Sequence, residues 1–130
     1  MWYRLYQSTP YGQSSSSILL TSRVYEHWNN HVFPASEQIR RERIFKPRVN
    51  LIVEICKKFD IPFNTLLEIG AGFGTFCEEL KKSNVFNRII AVEPTPHLAQ
   101  TCRNRNLDVI ESFIEKIPND PIANVVVCFE

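Results

Sequence analysis

The stretch Leu66-Leu67-Glu68-Ile69-Gly70-Ala71-Gly72-Phe73-Gly74-Thr75 constrains the fold of this chain more than any other. An apolar run of strand length leads directly into three glycines at alternate positions, and a helical pattern starts at Phe73. Glycine tolerates positive backbone angles and lets another group approach the main chain. A glycine loop between a strand and a helix therefore has a structural use, as a tight turn, and a binding use, at the carboxyl end of a strand in an open α/β sheet.

The rest of the chain repeats the alternation. Apolar strands are expected at Thr65–Ile69, Arg88–Glu93, Leu107–Glu111 and Ala123–Phe129, with Val125-Val126-Val127 continuous in the last. Helices are expected at Phe73–Lys82 and Thr95–Arg103, the latter with Thr95 as N-cap and Pro96 in its first turn. Phe113–Ile117 reads as one helical turn, and Asn119-Asp120-Pro121 as a turn. Strands apolar on both faces that alternate with helices give a parallel sheet with crossover connections. The expected fold class is α/β, a partial Rossmann-like parallel sheet of about four strands with flanking helices and an N-terminal helical extension.

Ahead of this region, residues 1–17 are aromatic and then polar, an arm or loose lead-in. A helix is expected from Ile18 to Asn30, with Leu20, Val24, Tyr25 and Trp28 packing. Phe33-Pro34 should interrupt it, because the residue before a proline avoids helical angles. A second short helix follows from Ser36 to about Phe45. From Pro47, the residues Val49, Ile52, Val53, Cys56 and Phe59 recur on one helical face, and Lys57 and Lys58 complement the dipole at its end. The expected division is 1–46, arm and helical cap, and 47–130, the α/β part.

Charge narrows the partners. With 15 basic and 14 acidic residues the net charge is +1, which gives no electrostatic case for nucleic acid. The cluster Arg40, Arg41, Arg43, Lys46 and Arg48 is interleaved with acids and reads as a solvated helix face, a phosphate-bearing substrate being the other reading. Cys56, Cys77, Cys102 and Cys128 have no zinc-type spacing and read as buried free thiols of a reducing compartment. No apolar run reaches the roughly 20 residues of a membrane span, and the N-terminus lacks a signal-peptide pattern. The expectation is a cytoplasmic protein, with no metal, no nucleic acid and no membrane. His27 and His31, four apart, share a helix face without an evident third ligand.

Three readings of the glycine loop compete. It can be structural. It can bind a dinucleotide, but that fold wants GxGxxG, and Thr75 stands where the third glycine would be. It can bind an adenosyl cofactor without phosphates. Glu93, at the end of the second strand, favours a nucleoside, since a carboxylate can accept bonds from both ribose hydroxyls. Its structural alternative is a negative charge ahead of the helix at Thr95.

Together these segments resemble the class I S-adenosylmethionine-dependent methyltransferases. LLEIGAGFGTF resembles the family's first motif, AVEPTPHLAQTCR its second, LDVIESFIEKIP its third, and ANVVVCFE the start of its fourth. The resemblance covers roughly residues 47–130 and implies S-adenosyl-L-methionine as cofactor. It implies that Glu68, Gly70 and Gly72 approach the methionine part, that Ala71 and Gly74 belong to the same cofactor-binding loop, that Glu93 holds the ribose, and that Pro94 lies near the adenine. Where many relatives have an aspartate after the third strand, this chain has Phe113. That residue either packs on the adenine or belongs to the core, and backbone groups, Ser112 or Glu115 are left for polar contacts.

The segment YEHWNNHVFPASEQIRRERIFKPR is similar to lead-ins of bacterial methyltransferases associated with sugar or surface-polysaccharide modification. This implies a small-molecule acceptor of that kind. Glu130, His27 and His31 are general-base candidates by type alone. The family's sheet is larger than the strands read here, so the chain is expected to be truncated after its fourth strand, leaving that strand as an apolar edge open to self-association. The rival reading is a non-catalytic binding or interaction module.

Overall fold

The computed structural model describes residues 23, 24, 26–118 and 123–129. The expected arm at 1–17, Leu20, Tyr25, the turn at Asn119-Asp120-Pro121 and Glu130 lie outside them. The chain divides into two units, Met1–Glu37 and Gln38–Glu130.

A π-helical turn at Trp28–Val32, in the first unit, runs directly into helix α1, Phe33–Arg40, within which the division falls. The expected interruption at Phe33-Pro34 is not there. Phe33 keeps helical angles (φ −65°, ψ −50°) and donates its N–H to Trp28 O, five residues back. The wider turn ends just where Pro34 has no N–H to donate, so the helical path survives the proline. The buried residues are Asn29 and Phe33, while Val24 and Trp28 are exposed. The burial expected of Val24 and Trp28 from their four-residue spacing is therefore not found. Trp28 nonetheless has contacts.

In the second unit, a further π turn, Arg41–Phe45, precedes α2, Lys46–Lys58. Val49 and Cys56 are buried, with Ile52 and Val53 packed beside them. Phe59 is 64% exposed, contrary to its anticipated place on this face. It lies just past the helix at φ −108°, ψ 13°, where the helical period no longer sets its direction.

The sheet follows. Strands β1 (Thr65–Ile69), β2 (Arg88–Val92), β3 (Asp108–Ile110) and β4 (Val125–Cys128) are all parallel, in the order β3-β2-β1-β4. Helices α3 (Thr75–Ser83) and α4 (Pro96–Asn104) make the first two crossovers. A short 3-10 turn, Ile114–Lys116, follows β3. This is the expected α/β class with its partial Rossmann-like sheet.

One face of β1 carries Leu66, which packs with Val49, Cys56, Phe76, Leu80 and Val127 under α2 and α3. The other carries Leu67, which packs with Ile90 and Val92. A strand buried on both faces has to be apolar, and β1 is so from Leu66 onward except at Glu68. At β4 the alternation leaves Val126 57% exposed and Cys128 exposed, so Cys128 is not the buried thiol expected of it. Cys56, Cys77 and Cys102 are buried and free. Among the described residues no helix is long and apolar enough to cross a membrane.

Arg41 and Arg48 are half-buried rather than on a solvated face, while Arg43 and Lys46 are exposed. Arg41 pairs with Glu78 and with Glu79, and Arg105 pairs with Glu78 at 2.6 Å. These pairs tie the π turn and α4 to α3. Burial pushes the Glu78 and Glu79 carboxyls up, but their cationic partners more than offset this and hold both below the usual range.

Candidate functional site

The order β3-β2-β1-β4 places a topological switch at β1, whose successor in the chain lies on one side and β4 on the other. Ligands of open α/β sheets bind outside the carboxyl ends of the strands at such a point. The glycine loop leaves β1 there. Gly70 N and Ala71 N both donate to Val92 O, at 2.9 and 3.1 Å, so the loop folds over the end of β2. Gly74 N then donates to Ala71 O at 2.8 Å, which closes the turn before α3.

The three glycines have left-handed angles, with φ of +73°, +56° and +73°, but their surroundings differ. A Cβ built on Gly70 or Gly72 would meet nothing within 4 Å. One on Gly74 would lie 2.7 Å from Leu107 Cδ1 and 2.8 Å from Cys102 Sγ. Ala71 is buried, and its methyl group packs with Cys77, Ala91, Cys102 and Leu107. The loop thus presents Gly70 and Gly72 to open space and anchors itself through Ala71 and Gly74.

Glu93 joins the loop to the next helix. It is buried, yet its carboxylate accepts from Gly72 N at 2.8 Å and from Thr95 N at 2.9 Å. Thr95 is the N-cap of α4 without capping through its own side chain. Glu93 instead accepts from the N-cap residue's own N–H, from two residues upstream. Each carboxylate oxygen carries a second lone pair, so two backbone donors leave acceptor capacity for hydroxyl groups. Glu93 N donates to Ile110 O, which brings the end of β3 alongside. Pro94 is half-buried. Phe113, past β3, is 37% exposed, is in none of the buried clusters, and has Lys116 Nζ 5.6 Å from its ring. Ser112 is half-buried and Glu115 exposed.

Glu68 lies on β1 behind the loop, 4% exposed. Its carboxylate accepts a hydrogen bond from Cys77 Sγ at 3.0 Å. Burial pushes its pKa up to about 7, against the opposing pull of the Cys77 bond and of Arg48 and with a further push from Glu93. The Cys77 thiol, buried and facing Glu68, is raised well above its ordinary value. Cys102, beneath the loop, donates to Gly72 O at 3.3 Å, and burial pushes it up to about 12.

The structure therefore brings Gly70, Ala71, Gly72, Gly74 and Glu93 into one bonded unit, with Glu68 behind it and Pro94 continuing from it. His27 and His31 lie in the first unit, exposed, with ring centroids 5.2 Å apart. No group of three metal-ligating side chains occurs among the described residues. Sequence reasoning does not connect Cys77 or Arg48 with Glu68. Cys77 reads as a core thiol and Arg48 as one of several basic residues, and neither spacing nor composition marks the bond of the one or the charge interaction of the other with that carboxyl. A separate cavity of about 290 Å³ lies at the amino ends of β2 and β3, lined among others by Lys81, Asn87, Arg88, Asn106, Leu107 and Asp108.

No protein-family model matches the chain, and no curated protein matches it in sequence. Among solved structures, it is similar to a S-adenosylmethionine-dependent methyltransferase from Clostridium acetobutylicum ATCC 824. The identity is 19% and the TM-score 0.60, over 78% of this chain and 43% of that one. The chain thus spans less than half the length of that protein. At this identity the likeness is one of fold: the chain shares the Rossmann-like α/β sheet architecture of that protein.

Proposed function

We propose that the chain carries the S-adenosyl-L-methionine-binding half of a methyltransferase that acts on a small-molecule acceptor, a sugar or polysaccharide precursor. The observation that carries this reading is the open side of Gly70 and Gly72, held against a buried carboxylate, Glu93, by a 2.8 Å bond. The residues fit the cofactor. Side chains at Gly70 and Gly72 would fill the space its methionine end needs, and Glu93 retains lone pairs for ribose hydroxyls. Pro94 and the exposed face of Phe113 offer apolar surface to an adenine. Ala71 and Gly74 serve the same site by fixing the loop from below. When bound, the cofactor supplies an electrophilic methyl group on a sulfonium. The chain's contribution is to hold it in one orientation, from which much of the rate of an in-line transfer arises. The buried free thiols of Cys56, Cys77 and Cys102 support a reducing, cytoplasmic setting.

A second reading, a non-catalytic association module, is favoured by β4. It pairs only with β1 among the described strands, and Val126 is exposed on it.

Calorimetric titration with S-adenosylhomocysteine tests the first reading. The chain should bind it saturably, and Glu93→Ala should weaken binding at least tenfold. A folded chain that binds none, and sediments as a dimer, selects the second reading.

A further inference from the structure

Arg41, Arg88, Arg103 and Arg105 each pair with a carboxylate, at distances such as 2.6 Å for Arg88–Asp108 and 2.8 Å for Arg103–Glu111. Arg48 is different. Its guanidinium lies over the ring of Phe129, with Cζ 4.5 Å from the centroid, and no carboxylate hydrogen-bonds to it among the described residues. Phe129 is fixed in turn by Phe76, ring to ring at 4.9 Å. The register places this pair. Ile69 is level with Cys128, so Gly70, the first residue of the open cradle, and Phe129 are the residues that leave the carboxyl ends of neighbouring strands. Arg48 is also close enough to Glu68, the residue two before Gly70, to hold down its proton affinity. The other groups that face Glu68 are Cys77 on α3, Glu93 at the end of β2 and Cys102 on α4.

A guanidinium stacked on an aromatic ring keeps its charge and its in-plane N–H edge while its face is dry and its rotamer fixed. That edge matches a planar or tetrahedral oxyanion. We propose that Arg48, seated on Phe129, is an oxyanion-binding residue at the carboxyl end of β1 and β4. The oxyanion is either the carboxylate at the amino-acid end of the cofactor or an acidic group on the acceptor. The first source rests on the cofactor reading above, whereas the second stands without it.

The test compares the full chain with Arg48→Gln, and uses three probes. S-adenosylhomocysteine carries the carboxylate. 5′-Methylthioadenosine has the same nucleoside and thioether without it. Inorganic sulfate, followed by amide NMR shifts with S-adenosylhomocysteine present and absent, reports a free oxyanion site. Thermal melting confirms that the variant folds. A loss of tenfold or more for S-adenosylhomocysteine, with methylthioadenosine unchanged within twofold, assigns the oxyanion to the cofactor. Sulfate binding that persists beside S-adenosylhomocysteine and disappears in Arg48→Gln assigns it to the acceptor. Arg48→Lys, which keeps the charge without the fork, should recover part of either loss. The proposal is overturned when S-adenosylhomocysteine and sulfate bind both chains equally, or when all three probes weaken together. A native chain that binds neither nucleoside refutes the cofactor reading instead, and the sulfate arm still judges Arg48.

Discussion

Gly70 and Gly72 have open space where a side chain would begin, whereas at Gly74 that place is taken by Leu107 and Cys102. All three share a left-handed backbone, so backbone freedom alone does not separate them. The surroundings do. The packed end of the loop brings α3 close to α4 and β3, and glycine is needed there for the fold. At the open end no atom of the described residues lies within 4 Å of where a Cβ would stand, so packing gives no reason for glycine beyond the turn itself. The acids differ in the same way. Glu93 braces the open end and satisfies two backbone donors. Glu68, behind the loop, has one weak donor, the Cys77 thiol, and the charge of Arg48, which together do not offset its burial.

The largest effect expected from this contrast is on the glycines themselves. Gly74→Ala combines left-handed strain of about 1–2 kcal/mol with overpacking of about 1–3 kcal/mol, and should lower stability in urea unfolding by about 2–5 kcal/mol. Gly70→Ala carries the strain alone, about 1–2 kcal/mol, but puts a methyl group into the cradle and should abolish binding of S-adenosylhomocysteine. Equal stability losses at the two positions would erase the distinction.

A smaller effect comes from Glu68. Its folded pKa of about 7 exceeds the ordinary 4.5. Between these values the folded chain holds more protons than the unfolded one, so this group's contribution to stability falls as pH rises from about 4.5 to about 7. The loss is on the order of 3 kcal/mol. Glu68→Gln keeps an acceptor for Cys77 and removes the charge. It should raise stability by about 1–3 kcal/mol at pH 8 and give no such gain at pH 4, measured by urea midpoints. A gain of the same size at both pH values would show that ionisation of Glu68 is not what costs stability.

The sheet was legible because a buried parallel strand must be apolar on both faces, and such runs stand out at Leu66-Leu67, Ile89–Val92 and Val125–Val127. The glycine loop and Glu93 were legible because their positions at strand ends are fixed by that same pattern. Long side chains were not. Nothing local tells that Arg41 reaches Glu78 and Glu79, or that Arg48 settles on Phe129, since each contact joins segments far apart in the chain. The helical path through Pro34 escaped for a different reason: a π turn lets a proline pass where the ordinary helical period forbids it. Phe59 and Cys128 show the remaining error, a period extended past a helix end and a strand taken as covered on both faces.

The most direct test of the account is a two-dimensional amide NMR titration of the chain with S-adenosylhomocysteine. Gly70, Gly72 and Thr95, whose N–H groups surround the open end and Glu93, should shift most. Residues of the basal cavity, Asn87, Arg88 and Asp108, should stay in place. Shifts concentrated at that cavity, or none at saturating ligand in a folded chain, would contradict the assignment of the open glycines to a cofactor.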